Sequence, residues 1–277
     1  MGDILTRDNL IAALSGGQNF YVNKLSQTAK GAGAWHSLWK AAGYPTAGGN
    51  PPLFSAGAGY VPNNATVGAL PMVNATVGNT LRALFANLNS STAGTLILAD
   101  RVWACSGFGT VAITSQAVTT PGTVTRDQNG AALGVGCELW GEVYTAPGAA
   151  AATWTVGGTD SAGVAGRTWT YAHPASAESV GQLYPFFPGG ATPGAMHVRQ
   201  VDSFIASATS GTAGDVGITV IRRLAQIPLA TANLATVLDA IALAMPRLYD
   251  ASCPFLMVQC STTNTGQVLG NISLGQN

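Results

Sequence analysis

The feature that most constrains this chain is how few charges it carries. Only 12 of its 277 residues are Lys or Arg and only 12 are Asp or Glu, so charged residues make up 9% of the chain. In an ordinary soluble domain, charged residues make up about 25%. Neutral small residues such as glycine, with 35 copies, stand where lysine and glutamate are usual. A surface with so few charges is expected to be packed against other protein over much of its area.

Charge and hydropathy also exclude several classes of protein. The net charge is zero, and no basic stripe is present, so we expect no direct binding of nucleic acid. No run approaches the roughly 20 apolar residues that span a bilayer, so no membrane partner is expected. The first fourteen residues, MGDILTRDNLIAAL, lack the basic-then-apolar order of a secretory signal. We therefore expect a protein that is made and used without export.

Four cysteines, Cys105, Cys137, Cys253 and Cys260, stand in apolar contexts that are typical of strands. No two of them have the C-x-x-C spacing of a zinc or thioredoxin-type site. Buried free thiols are the expected state, and a disulfide between Cys253 and Cys260 remains an open alternative.

Residues 1–92 are predicted to form an N-terminal helix followed by an extended arm. Thr6–Leu14 has a capping threonine and helical apolar spacing, and the pair Gly16-Gly17 ends it. Residues 31–80 are rich in Gly, Pro, Ala and Asn, and the pentapeptide at 64–68 returns at 74–78. Such a segment cannot satisfy its own backbone, so we expect it to lie along another surface. Residues 81–88 are predicted to add one or two helical turns.

Residues 93–277 are predicted to form an antiparallel β-sandwich, similar to a jelly roll, so the fold class is mainly β with a few short helices. The helix with the clearest pattern is Thr231–Met245, where apolar residues form one stripe that Pro246 ends. Phe255–Ser261 and Gln267–Leu274 are predicted to close the fold as a C-terminal hairpin. The other candidate strands are Thr95–Cys105, Thr110–Val118, Gly134–Thr145, Thr153–Val156, Arg167–Tyr171, Met196–Ala208 and Val216–Arg222.

No residue set in the sequence supports catalysis. Leu14–Gln18 matches the LSGGQ signature of ABC-type ATPases, but the chain has no P-loop to hold phosphates, so the match is interpreted as a helix that ends on glycines. Glu138 and Glu142 lie about 13 Å apart along a strand, farther than the about 5 to 9.5 Å of a glycosidase pair. His36, His173 and His197 are dispersed and form no metal motif. We expect no enzyme, no metal and no cofactor, and a hydrolase with a site assembled in space has no positive support.

Aromatic residues supply two sets of candidate binding positions. The first set is a candidate protein interface in the arm and on the strand at 137–144, where alternation places large aromatics beside Glu138 and Glu142: Trp35, Trp39, Phe54, Tyr60, Trp140 and Tyr144. The second set is an alternative glycan platform around a glycine-rich loop: Trp154, Trp169 and Tyr171. The alternative for this second set is packing across a hairpin.

Three stretches taken together carry a resemblance to a known class of protein. They are WHSLWKAAG at 35–43, ELWGEVY at 138–144 followed by GRT at 166–168, and GITVIRRLAQIPL at 217–229. Their order resembles virion structural proteins of tailed bacteriophages, of the kind encoded near the major capsid protein. The resemblance spans most of the chain and carries no catalytic signature.

The resemblance implies a virion component that is assembled in the host cytoplasm, of the capsid decoration (cement) type. Its partners would be the major capsid protein and further copies of itself, as a dimer or a trimer. Two alternatives stay open at this stage: a tail or neck structural protein, and a carbohydrate-binding module for host attachment.

Overall fold

The computed structural model describes residues 4, 6–56, 59–119, 121–176, 178–189 and 197–276. The chain forms two compact units. Unit 1 consists of Met1–Gly48, Asn63–Asp100 and Leu224–Asn277, and unit 2 consists of Gly49–Pro62 and Arg101–Arg223. The predicted boundary between residues 92 and 93 falls inside unit 1.

The fold is mainly β with antiparallel sheets, as predicted. The described residues contain one α-helix, α1 (Arg7–Ser15), and a 3₁₀ turn at Phe54–Ala56. The strands are β1 (Gln18–Lys24), β2 (Trp35–Ser37), β3 (Gly43–Tyr44), β4 (Leu81–Ser90), β5 (Gly94–Gly109), β6 (Gln116–Ala117), β7 (Cys137–Thr145), β8 (Ala152–Asp160), β9 (Arg167–His173), β10 (Gln182–Pro185), β11 (Phe187–Pro188), β12 (Val198–Ala206), β13 (Asp215–Leu229), β14 (Thr236–Leu238), β15 (Arg247–Leu248), β16 (Pro254–Cys260) and β17 (Val268–Gln276).

The N-terminal helix has the predicted ends. The Thr6 side chain accepts a hydrogen bond from the Asn9 backbone N–H at 3.1 Å and so caps α1. The helix ends at Gly16, and a Cβ at Gly17 would lie 2.2 Å from the carbonyl oxygen of Leu274. The LSGGQ match is therefore a helix end that passes close to a strand, as the sequence interpretation held.

Unit 1 contains a sheet with the order β14-β4-β17-β1-β3, and β15 also pairs with β4. Separately, β16 pairs with β2 and with the Gly94–Asp100 part of β5. One face of the first sheet contributes to an aliphatic core, because alternate residues of β1, β4 and β17 point inward. This core includes Phe20, Val22, Leu88, Leu98, Leu256 and Ile272.

Unit 2 has its own core, in which aromatic residues dominate. Strand β7 pairs with β10 and with residues 215–222 of β13. A second sheet has the order β11-β9-β8-β12-β6. The core of unit 2 includes Trp103 and Phe108 of β5 together with residues of these sheets: Trp154, Trp169, Tyr184 and Phe204.

The predicted arm at residues 31–80 packs on its own chain. In unit 1, the N–H of Gly33, Leu38 and Leu70 donates to carbonyl groups at or next to β16, at 2.8, 3.0 and 2.7 Å. In unit 2, the Tyr60 N–H donates to the Ala104 carbonyl at 2.8 Å. The surface along which these parts of the segment lie is therefore formed by strands of the same chain, which satisfy their backbone groups.

The repeated pentapeptide of the arm forms two similar turns. Gly68 has φ +102° and Gly78 has φ +93°, values that favour glycine. The valine before each glycine, Val67 or Val77, is exposed. The repeat therefore builds the same local conformation twice.

Both helical predictions outside α1 are wrong. Residues 81–88 lie in β4, which pairs with β17 along its length. The 231–245 segment forms a short strand, β14, and turns in which Asn233, Ala244 and Met245 adopt left-handed backbone conformations. Such residues interrupt a right-handed helix, and pairing of Thr236–Leu238 with β4 replaces the helical hydrogen bonds.

The last two strands are present as predicted, but they do not form the predicted hairpin. Strand β16 pairs with β2 and β5, whereas β17 pairs with β1 and β4. Local alternation of the sequence correctly predicted that both segments are strands. The predicted pairing between them was wrong, because pairing is determined by contacts between residues far apart in sequence.

Candidate interaction surface

The outer face of the first sheet of unit 1 has an uncharged region, which we call the amide face; Arg82 and Arg247 lie on the same side of the sheet, in the next row of side chains. Residues directly opposite each other on neighbouring strands share a face, and the strand register therefore places eleven side chains together. They are Tyr44 on β3, Asn19, Tyr21 and Asn23 on β1, Leu269, Asn271 and Ser273 on β17, Phe85, Asn87 and Asn89 on β4, and Val237 on β14.

Every member of the amide face is exposed or half-buried. Tyr21 is 62% exposed near one side of the sheet, and Val237 is 58% exposed at the opposite edge. Five of the eleven side chains are asparagines, and none carries a charge. The face thus combines hydrogen-bonding amides with a few apolar side chains.

Hydrogen bonds within the face hold its amides in place. The Ser273 hydroxyl donates to Asn19 Oδ1 at 2.7 Å, and Asn271 Nδ2 lies 3.3 Å from Ser273 Oγ. At the other end, Gln267 Nε2 donates to Asn23 Oδ1 at 3.0 Å. Because these groups are already oriented, a partner that binds here loses less side-chain entropy.

Helix α1 covers one end of this side of the sheet. Ala13 of the helix packs with Leu84 of β4 and with Ala240. Two apolar side chains of the helix, Ile11 and Leu14, stay exposed. The amide face is therefore bordered by an exposed apolar flank.

Many of the scarce charges are inside the protein. Among the residues that the structure describes, nine charged side chains are buried: Lys24, Asp100, Arg101, Arg126, Asp127, Glu142, Asp160, Glu178 and Arg222. Charged residues are almost never fully buried unless they are paired. The surface is thus poorer in charge than the composition alone indicates.

In unit 2, a buried ion pair joins β5 to β7. Arg101 Nη2 lies 2.5 Å from Glu142 Oε2, and the Tyr144 hydroxyl donates to the same oxygen at 2.8 Å. Burial first, and the neighbouring Glu142 second, raise the pKa of Tyr144 well above its usual value. The tyrosine therefore stays protonated and serves as a donor.

Other buried charges bind the main chain of their own unit. In unit 1, Asp100 accepts hydrogen bonds from the Cys253 N–H at 2.7 Å and from the Ser252 hydroxyl at 2.9 Å. Lys24 Nζ donates to the carbonyl groups of Ala41 and Pro45, and burial lowers its pKa to about 8. These contacts fix loops to strands.

The predicted interface residues divide into two groups. Trp39, Trp140 and Tyr144 are buried, so the expectation that they present a contact surface is wrong. The predicted half-solvated face of β7 is likewise internal, because both sides of this strand pack in unit 2. The other three, Trp35, Phe54 and Tyr60, are half-buried and stay candidates.

The predicted glycan platform is not on the surface. Trp154 is 0% exposed and Trp169 is 1% exposed, because both point into the core of unit 2 across the β8–β9 pair. Tyr171 is half-buried and stacks on Tyr184 with ring centroids 4.1 Å apart. The alternative of packing across a hairpin is the one that the structure bears out for the tryptophans.

A polar cluster lies beside these rings in unit 2. The Tyr171 hydroxyl donates to Glu178 Oε1 at 2.6 Å, and His173 Nδ1 lies 3.4 Å from the same oxygen. The His173 ring stacks on Trp154 at 4.4 Å. Burial lowers the pKa of His173, but Glu178 and the Gly148 carbonyl outweigh burial, and the net pKa is raised.

The four cysteines are free and buried, so Cys253 and Cys260 are not joined. The described residues include no group of three or more His, Cys, Asp or Glu side chains placed to hold a metal ion. Within the described part of the chain, no helix is both long and apolar enough to cross a membrane.

Comparison with known proteins assigns no family. No family model and no curated protein matches the chain. Among solved structures, it is similar at a TM-score of 0.24 to the VP2 subviral particle of infectious bursal disease virus, with 8% identity over 95% of this chain and 81% of that chain. A T=1 particle derived from the same virus gives 0.21, with 10% identity over 94% and 77%. Superpositions of this quality do not define a shared fold.

Sequence reasoning missed the amide face. The alternation of Asn19, Tyr21 and Asn23 with buried Phe20 and Val22 was a usable signal for a half-exposed strand. The pairing of that strand with residues about 250 positions away left no comparable local trace.

Proposed function

We propose that this chain is a structural component of a bacteriophage virion, and specifically a capsid decoration protein that stabilises the capsid by binding its surface. Its partners would be the major capsid protein and further copies of itself. The observation that carries the proposal is the placement of charge: nine charged side chains are internal, and an eleven-residue sheet face has none.

This placement suits a protein that is covered by neighbours. Burying a charge in an interface costs several kcal/mol unless it is paired, and interface centres are depleted of charged residues. An uncharged sheet face on a rigid β scaffold can be covered without that cost. The exposed arm valines Val73 and Val77 add apolar contact area.

A carbohydrate-binding role has less support, because Trp154 and Trp169 are in the core. A tail or neck protein would share the same surface properties, and it differs from a decoration protein in copy number. Among the described residues, no constellation of side chains supports catalysis, and the absence of enzymatic activity stays a prediction.

Mass spectrometry of gradient-purified virions from infected cells tests this proposal. We expect the protein in the virion fraction at a copy number close to that of the major capsid protein. A copy number that accounts for only one ring of subunits per particle would indicate a tail or neck protein instead of a decoration protein. Recovery of the protein only from the soluble fraction would overturn the virion role.

A further inference from the structure

We infer that the amide face is the surface through which one copy of this chain binds a second copy. The inference rests on the proposed function in that a particle component needs a contact with its own kind. It identifies which surface of unit 1 makes that contact and what chemistry it uses.

The charge pattern favours a second copy over a charged partner. Charged groups of a partner at this position would lose their hydration, and the amide face offers no opposite charge to compensate for that loss. Side-chain amides donate and accept hydrogen bonds, so Asn87 and Asn271 at the middle of the face can pair with the same groups of another copy. The face is therefore complementary to itself.

The shape of the sheet favours contact through the face rather than through its edges. The two edge strands, β3 and β14, have two and three residues, and short edge strands are poor templates for adding another strand. Sheet faces instead pack at a spacing of about 10 Å, with interdigitated side chains.

The area is sufficient when the helical flank takes part. The three central strands contribute three side chains each and the two edge strands contribute one each, which gives about 350 Å² per copy at about 4.8 Å between strands and 6.7 Å between side chains. A specific interface buries at least about 1,000 Å² in total, or about 500 Å² per partner. Ile11 and Leu14 of α1 border the face and are exposed, so the helix supplies the remainder.

In a two-fold contact of this kind, each residue near the two-fold axis lies close to the same residue of the second copy. A charge introduced there is therefore repelled by the identical charge on the second copy, and both charges lose hydration. Asn87→Asp changes one group at the centre with almost no change in shape, and Val237→Glu adds a charge at the margin.

The experiment is sedimentation velocity of the purified full-length chain and its variants over a range of concentrations. We expect the wild type to self-associate, with a dissociation constant that changes little with added salt, since the amide face itself carries no charge. Asn87→Asp and Val237→Glu should each raise that constant at least tenfold. Circular dichroism and thermal melting check that the variants are folded.

Val67→Glu is the matched control. Val67 is 61% exposed, close to the 58% of Val237, and it belongs to a turn of the same unit rather than to a strand of the sheet. This variant should associate as the wild type does. If it weakens association as strongly as Val237→Glu, the assignment to the amide face is wrong.

Two further outcomes overturn the inference. The first is a wild type that stays monomeric at its highest soluble concentration, including one that then binds capsids, because the occupant would be a different protein. The second is an Asn87→Asp variant that associates as tightly as the wild type. Because the measurement uses no particles, its failure is separate from the absence of the protein in virions.

Discussion

Replacing Arg101 by methionine tests whether buried charges stabilise unit 2. The variant leaves the Glu142 carboxylate, which is 0% exposed, without the guanidinium that lies against it. Methionine fills a similar volume, so the change is mainly electrostatic. Removing one partner of a buried pair costs about 3–5 kcal/mol, and this is a large share of the about 5–15 kcal/mol that stabilises a typical protein.

The assay is urea denaturation at neutral pH, followed by tryptophan fluorescence. Four of the six tryptophans, Trp103, Trp140, Trp154 and Trp169, lie in unit 2, so their emission reports mainly on that unit. The control is the triple variant Arg101→Met, Glu142→Leu and Tyr144→Phe, which removes the charges and the hydroxyl together.

We expect the triple variant to recover most of the lost stability, since exchanging a whole buried pair for apolar groups is often neutral. The reasoning fails if Arg101→Met costs less than about 1 kcal/mol, the value of an exposed pair. It also fails if the triple variant is no more stable than the single one.

Three further predictions concern the remaining buried groups and one turn. Burial lowers the pKa of His173, but Glu178 and the Gly148 carbonyl raise it more, so the net pKa is above 6.5. The charge of His173 therefore stabilises the fold below that pH, and this stabilisation is lost as the pH rises through the folded-state pKa. The difference in unfolding free energy between wild type and His173→Gln should narrow in alkali, and a difference that stays constant with pH contradicts this prediction. Burial raises the pKa of the Cys105 thiol, so a disulfide-exchange reagent should label the four cysteines only in denaturant, and rapid labelling of the native chain would be inconsistent with the structure. Gly68→Ala should lower the melting temperature more than Gly78→Ala. Both glycines have positive φ, so each alanine variant loses about 1–2 kcal/mol of stability to backbone strain, but a Cβ at Gly68 also lies 2.8 Å from the Trp39 ring, whereas nothing lies within 4 Å of a Cβ at Gly78. Equal melting temperatures of the two variants would contradict this geometry.

Local patterns predicted strands well where alternation and turn residues agreed. Arg167–Tyr171 is part of β9, and the loop before it follows Asp160, the last residue of β8, which accepts hydrogen bonds from the N–H of Ala162 and Val164 at 2.9 Å each. The mainly β, antiparallel class followed from such segments. The capped helix α1 followed in the same way, from residues adjacent in sequence.

The failures came from information that is not local. In 231–245, the stripe Leu234, Val237 and Ile241 matched a helix, but these side chains are exposed and Thr236–Leu238 pairs with β4. Tertiary pairing overrides a periodic pattern in a short segment. Sequence likewise counted the charges without showing that Arg101 and Glu142, 41 residues apart, neutralise each other inside unit 2.

The position of the charges also limits how strongly the amide face can bind. A contact at the minimum of about 1,000 Å² in total, of which about 57% is apolar, gives about 14 kcal/mol of gross stabilisation at 25 cal/mol per Å². Association costs about 4–15 kcal/mol in lost freedom, so one such contact has a small net free energy. The absence of charge keeps that balance from becoming unfavourable, because no lysine or glutamate must be dehydrated. A copy that makes several neutral contacts at once gains from each without a repeated loss of overall freedom, and this is the situation of a subunit in a particle rather than in an isolated pair.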